Sequence, residues 1–282
     1  MRLLTAMIAF VASLIAGATC GAHAADRSFV TSDGVRLHYT DTGSGRALVF
    51  VPGWTMPGWI FAPQVAAFAP HYRVVVLDPR GQGQSDAPPS GYQSERRGQD
   101  IAELLAGLGG ERPVVVAWSL GVLDTLAFVH DQGDGAIAGL VLIDNSVGEN
   151  PPPPAQPHRP AKRQTHDVFM AGFVRSMFAR PQPPEYLRRL TEASLRTPEF
   201  AANAMLSIKV PRSYWKEAVY STAKPVLYVV RPAFLGQARN LAANHPTAET
   251  VVMDHIGHAL FVDDPARFNA LLQSFLTRRI WK

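Results

Sequence analysis

Ser119 sits in the run Val114-Val115-Val116-Ala117-Trp118-Ser119-Leu120-Gly121, where an apolar stretch leads into a turn and a helix-forming segment follows at once. A serine in a tight strand-to-helix turn projects its hydroxyl clear of the sheet, with the helix N-terminus beneath it. Ala117 and Gly121, two residues before and two after, let such a turn close without side-chain clash. A helix N-cap serine would not require small residues on both sides, so the spacing points to nucleophilic catalysis. A serine nucleophile needs a base within reach of its hydroxyl, and histidine is the usual one. The chain has nine histidines. His255 and His258 follow the run 250–253 near the C-terminal end, His38 and His71 lie on early segments, and His158 and His166 fall in a late insertion.

The elements that must carry these groups are legible as period and composition. Runs at 35–40, 47–51, 73–77, 114–117, 139–143, 225–230 and 250–253 read as strands. The central ones are apolar throughout, as expected of parallel strands covered on both faces. Ser94 can cap a helix with the stripe Ile101, Leu104, Leu105 and Leu108, closed by Gly109-Gly110. Residues 120–130 read as a buried helix. Asp264 caps the last helix, with Pro265 at its first position and the stripe Phe268, Leu271, Leu272, Phe275 and Leu276. This alternation predicts an α/β fold: a doubly wound, mostly parallel sheet flanked by helices. Residues 148–222 interrupt the rhythm. They open with four prolines at 151–154 and continue with helical stretches around 166–179, 185–196 and 198–208. Phe169, Phe173, Met177, Phe178 and Trp215 are too many large apolar groups for a disordered linker, so the segment is expected to form a helical cap inserted between two late strands.

Four stretches, in order, carry a family likeness: Val51-Pro52-Gly53-Trp54, Asp78-Pro79-Arg80-Gly81-Gln82-Gly83-Gln84-Ser85-Asp86, the serine turn, and Gly257-His258. With them the chain resembles the α/β-hydrolase superfamily over almost all of its length beyond the N-terminal segment. The resemblance implies Ser119 as nucleophile and His258, with His255 as the rival, as base. It implies an oxyanion hole from the backbone N–H groups of Leu120 and Trp54. Pro52 stands where family members often have histidine, and Ala117 where the usual motif has glycine. The acid departs from the common pattern. The loop after 225–230 reads Arg231-Pro232-Ala233-Phe234-Leu235-Gly236-Gln237 and holds no carboxylate. Some members, including certain dehalogenases and lipases, carry the acid one strand earlier, and that position holds Asp144. Asp254, Asp263 and Asp264 are weaker candidates, and a serine–histidine pair without an acid is the remaining alternative. The Gly81/Gly83 loop lacks the third glycine of a dinucleotide fingerprint and is mainly structural in the family. Asp78 is expected to tie that loop, and Asp124 to make a buried polar contact.

The implied activity is serine hydrolysis of a carboxylic ester or lactone through an acyl-enzyme. Trp54, Trp59, Trp118 and the cap aromatics suggest a pocket for an apolar acyl group. Carbon–carbon bond hydrolysis and cofactor-free perhydrolysis use the same residues, and a hydrolase-like ligand-binding or sensing protein would retain them. No His/Asp/Glu grouping has metal-site spacing, so no metal and no cofactor are expected. A net charge of +4 without a basic stripe, apart from a mild cluster between Arg159 and Arg163, argues against nucleic acid as a partner. The expected partner is a small ester-like molecule; oligomeric state is not legible.

The N-terminus reads as a targeting segment. Arg2 precedes an almost wholly apolar stretch to Thr19, and Ala22-His23-Ala24 supplies the small residues of a cleavage site. Cleavage after Ala24 predicts a periplasmic or secreted protein with no stable membrane association after leader removal. It also removes Cys20, the one cysteine of the chain. The organisation expected is therefore a leader over 1–24, a core in two parts over 25–147 and 223–282, and the cap over 148–222.

Overall fold

The computed structural model describes residues 24–110, 112–153 and 165–282. The expected leader lies outside the described residues through His23, with Cys20, as do Pro154, His158 and the basic cluster Arg159 to Arg163. Eight strands form one sheet: β1 (Ala25–Val30), β2 (Arg36–Thr42), β3 (Ala47–Val51), β4 (Arg73–Asp78), β5 (Val114–Trp118), β6 (Gly139–Ile143), β7 (Val226–Val230) and β8 (Ala248–Val252). Their spatial order is β1-β2-β4-β3-β5-β6-β7-β8. The two pairings made by β2, with β1 and with β4, are antiparallel; the remaining five are parallel. The sheet is thus mostly parallel, as its unbroken apolar strands predict.

Ten α-helices are described: α1 (Ala62–Phe68), α2 (Ser94–Leu108), α3 (Leu120–Gln132), α4 (His166–Ser176), α5 (Pro184–Leu195), α6 (Glu199–Leu206), α7 (Arg212–Ser221), α8 (Leu235–Asn244), α9 (Leu260–Asp263) and α10 (Pro265–Phe275). The strand pleat divides the core in two, because successive side chains leave opposite faces. Val49, Val51, Val115 and Ala117 join Leu104 of α2, Leu126 of α3 and Leu241 of α8 on one face. Leu48, Phe50, Val114, Val116 and Trp118 join Phe68 of α1 and Phe268, Leu272 and Phe275 of α10 on the other. Burying one such side chain completely stabilises the fold by about 1.5–3 kcal/mol. Strands β3, β5, β6 and β7 are buried along their whole length, so the chain ends they present are held rigidly.

Four helices, α4 to α7, lie between β6 and β7. α4 and α5 pack on each other, and with α6 they cover the loop after β3. Phe173 of α4 meets the Trp54 ring edge-on at 5.1 Å. The Arg189 guanidinium of α5 lies over Trp59 at 4.3 Å. The Trp54 indole N–H donates to Ala202 O of α6 at 2.8 Å. α7 belongs to the core layer instead, since it packs on α3 and Trp215, Ala218 and Val219 join the sheet core. Among the described residues, no helix is long and apolar enough to cross a membrane.

Candidate active site

Loops leaving the ends of parallel strands β5, β6, β7 and β8 converge at one edge of the sheet, where ligand sites of open α/β sheets form. β5 ends at Trp118 and α3 begins at Leu120, so Ser119 alone makes the turn. Its backbone sits at φ 54°, ψ −121°, a conformation costly for a residue with a side chain. Several bonds hold it there. The Ser119 N–H donates to Ile143 O and its C=O accepts from Val122 N–H, each at 2.9 Å. The same carbonyl accepts from Asn145 Nδ2 at 2.8 Å. Small neighbours are a steric necessity here. A Cβ on Gly121 would lie 2.6 Å from Val51 O, and one on Gly53 would lie 2.8 Å from Ser119 Cβ and 3.3 Å from its Oγ. Gly121 therefore lets α3 close on the end of β3, and Gly53 brings the Trp54 loop beside the hydroxyl.

His258 stands between β8 and α9, in a loop tied from three sides. Its C=O accepts from the Trp118 indole N–H at 2.9 Å. Gly257 N–H donates to Asp263 Oδ2 at 2.8 Å, and Ala259 N–H donates to Met177 O at 3.0 Å. A Cβ on Gly257 would lie 2.3 Å from Met177 O, so only glycine lets the end of α4 seat against this loop. The result is a contact of 2.8 Å between His258 Nε2 and Ser119 Oγ, across 139 residues of sequence.

Asp144 follows β6 with φ 49°, and its side chain is fully buried. Oδ2 accepts from His258 Nδ1 at 2.6 Å and from Arg231 Nε at 2.6 Å. Oδ1 accepts from the Arg231 N–H at 2.9 Å. The neighbouring Asn145 C=O accepts from the Tyr228 hydroxyl at 2.7 Å. Burial, and then the charge of Asp144, hold that phenol far above its ordinary range, so it stays a neutral donor.

The chain thus brings Ser119, His258 and Asp144 into one hydrogen-bonded line. The competing candidates have other partners. Asp263 takes up the N–H groups of Gly257 and Ala179, Asp264 caps α10 by accepting from Arg267 N–H, and Asp254 and His255 are exposed at the end of β8. Leu120 is the first residue of α3, where backbone N–H groups have no intrahelical acceptor. Trp54 directly follows Gly53 at the serine. Asp78 ties its loop, accepting from Gly58 N–H at 2.6 Å, Gln84 N–H at 2.9 Å and His38 Nδ1 at 2.9 Å. Asp124 pairs with Arg97 at 2.8 Å, and burial pushes its carboxyl up to about 6.

A cavity of about 440 Å³ opens on the line. Phe173, Met177 and Phe234 form its apolar wall, while Asn145, Ser176 and Arg231 make the rest polar. This departs from an apolar pocket built on three tryptophans. Trp118 is buried in the core, and Trp59 lines a separate cleft with Arg189 and Arg196. Arg231 is the site residue the sequence reading missed. The one signal was an arginine in the loop that usually supplies the acid. Among the described residues no His/Cys/Asp/Glu group has the arrangement of a metal site.

The architecture agrees with known proteins. The model of the alpha/beta hydrolase family matches residues 48–271. The chain is 33% identical over 114 residues to a non-heme chloroperoxidase of Kitasatospora aureofaciens, a match covering 40% of this chain and 42% of that protein. It is similar to the crystal structure of an esterase, RhEst1, from a Rhodococcus species, with 25% identity, a TM-score of 0.75 and coverage of 90% of this chain and 99% of that one. It is likewise similar to Est816, described as an N-acyl homoserine lactone degrading enzyme, at 26% identity and a TM-score of 0.72, covering 87% and 99%. With the family model spanning most of its length and this fold beneath it, the chain belongs to the alpha/beta hydrolase family.

Proposed function

We propose that the protein is a serine hydrolase that cleaves a carboxylic ester or lactone through an acyl-enzyme on Ser119. The observation that carries this is the unbroken line Ser119 Oγ, His258 Nε2, His258 Nδ1, Asp144 Oδ2, with contacts of 2.8 Å and 2.6 Å. An ionised carboxylate only accepts, so Asp144 holds the proton on Nδ1 and leaves Nε2 free to take the serine proton. Ser119 Oγ then bonds to the substrate carbonyl carbon as its proton passes to Nε2. The Leu120 and Trp54 N–H groups are assigned to the oxyanion. Collapse breaks the bond to the alkoxide, which leaves with the proton from Nε2. Water repeats the sequence, releasing the acid and restoring Ser119. Esters and lactones are favoured because an alcohol leaving group needs less assistance than an amine. The likeness to RhEst1 and Est816 supports that substrate class, and the cavity's mixed lining suits an acyl or alcohol part with polar atoms. α4, α5 and α6 are assigned as the cap over it.

The test is covalent labelling by a fluorophosphonate at neutral pH, with peptide mapping, alongside a panel of esters and lactones. Wild-type protein labelled on Ser119, and Ser119→Ala unlabelled, are expected; a folded wild type that stays unlabelled is no serine hydrolase and points to the binding reading. A second reading, transfer of the acyl group to hydrogen peroxide instead of water, takes support from the chloroperoxidase likeness. It predicts peracid formation when peroxide is added to the ester assay. Export with leader removal is proposed as well. Cleavage after Ala24 would leave β1, which begins at Ala25, intact, and an intact mass of exported protein that starts elsewhere would overturn it.

A further inference from the structure

We propose that Arg231 is a positioning residue that makes an acid on β6 workable in this fold and sets its charge against the imidazolium formed on His258 during turnover. The proposal rests on the reading of Ser119 and His258 given above. Its first ground is geometric. Asp144 is fully buried, and a carboxylate without partners there would be costly to keep ionised. Arg231 supplies two of the three donors it has: the backbone N–H to Oδ1 at 2.9 Å and Nε to Oδ2 at 2.6 Å. The third is His258 Nδ1 on the same Oδ2. The two bonds from one residue fix both oxygens, so the carboxylate has a single orientation in which Oδ2 faces the imidazole. The residue thus stands in the loop that commonly carries the acid and anchors an acid carried elsewhere.

The second ground is electrostatic. Arg231 Nη2 lies 3.4 Å from His258 Nδ1. Because Oδ2 can only accept, Nδ1 carries its proton, and the contact brings two donors side by side and is no hydrogen bond between them. When His258 takes the serine proton, the guanidinium charge opposes the new imidazolium while Asp144 favours it. Arg231 is about a third exposed, so solvent damps this opposition without removing it. The other charged or titratable groups on the elements packed around the ring are Asp263 on α9, already engaged by Gly257 and Ala179 N–H, Arg175 on α4, with His166 and Asp167 at the far end of that helix, and Asp254 and His255 after β8; Arg175, Asp167, Asp254 and His255 are exposed. Arg231 is the cation in contact with the ring. Its charge bears on the imidazolium that forms during turnover, and it does so from 3.4 Å.

The experiment is a pair of profiles against pH, kcat/KM for an ester and the rate of fluorophosphonate labelling, for wild type, Arg231→Gln and Arg231→Lys. The glutamine variant is expected to move the acidic limb of both profiles up by about 0.5–1 pH unit and to lower the plateau about tenfold. The lysine variant keeps the charge and is expected to hold the limb within about 0.3 unit while still losing rate, because it cannot bond both Asp144 and the loop as the guanidinium does. Arg231→Met, which retains the aliphatic stem, should repeat the glutamine shift and guards against a folding defect in that variant. A glutamine or methionine variant that melts like wild type and keeps the limb in place overturns the proposal. A wild type that never labels sinks the hydrolase reading and this inference with it; a labelled wild type with unmoved limbs sinks this inference alone.

Discussion

Replacing Asp144 by Asn removes a negative charge and almost no volume, and its effect can be worked from the contacts. Two donors, His258 Nδ1 and Arg231 Nε, converge on Oδ2 at 2.6 Å each, while the Arg231 N–H reaches Oδ1 at 2.9 Å. An amide offers one oxygen and one NH2. With the oxygen at the Oδ2 position, the NH2 faces the Arg231 N–H, donor against donor. With the amide flipped, its NH2 drives His258 to accept at Nδ1, the proton moves to Nε2, and the base can no longer receive the serine proton. Either way the imidazolium loses its counter-charge. The expected loss in kcat is about 10³–10⁴-fold, or about 4–5.5 kcal/mol of transition-state stabilisation. Stability should fall by about 1–3 kcal/mol as Arg231 loses its carboxylate, toward the lower end because that side chain is partly exposed. Initial rates on a p-nitrophenyl ester, labelling rates and thermal unfolding measured together separate the two effects. A folded Asp144→Asn protein retaining more than about a tenth of wild-type kcat would refute the reasoning and leave a working serine–histidine pair.

Two further perturbations test the scaffold. Gly53→Ala places a Cβ 2.8 Å from Ser119 Cβ and 3.3 Å from its Oγ; the hydroxyl must shift, and kcat should fall by about 10²-fold or more in a protein that still folds, with unchanged ester turnover as the contrary result. His38 is held above its ordinary 6.5 chiefly by its bond to Asp78. Its proton therefore adds stability fully below about pH 6.5, and that contribution fades as pH rises through the raised folded value. In His38→Gln, the melting-temperature deficit should be larger at about pH 6 than at about pH 8, and a deficit independent of pH would show that the His38 proton contributes nothing.

Much of this protein is written locally. The unbroken apolar runs of β3, β5, β6 and β7 announce parallel strands because both faces of each are covered, and the serine turn announces itself because its sterics demand small neighbours within two residues. Asp264-Pro265 marks the start of α10 for the same local reason, a cap and a fixed φ. Other elements carry no such signal. β1 reads Ala-Asp-Arg-Ser-Phe-Val and is mostly exposed; it is a strand because β2 offers an edge. α8 turns only Ala238 and Leu241 fully toward the core among its apolar residues, too few for a periodic stripe. Chain order places α7 within the inserted segment, and only its packing on α3 assigns it to the core layer.

The chemistry divides in the same way. The turn's sterics named Ser119, and the family likeness put His258 ahead of His255 and Asp144 ahead of Asp254, Asp263 and Asp264, since both are properties of order along the chain. Which carboxylate would meet the imidazole, which side chains would line the cavity, and that an arginine would touch both acid and base were decided by the ends of β6, β7 and β8 arriving side by side. Those contacts join residues 27 to 139 positions apart, and no local pattern encodes a distance of that kind; the sheet order and the burial of its strands set it.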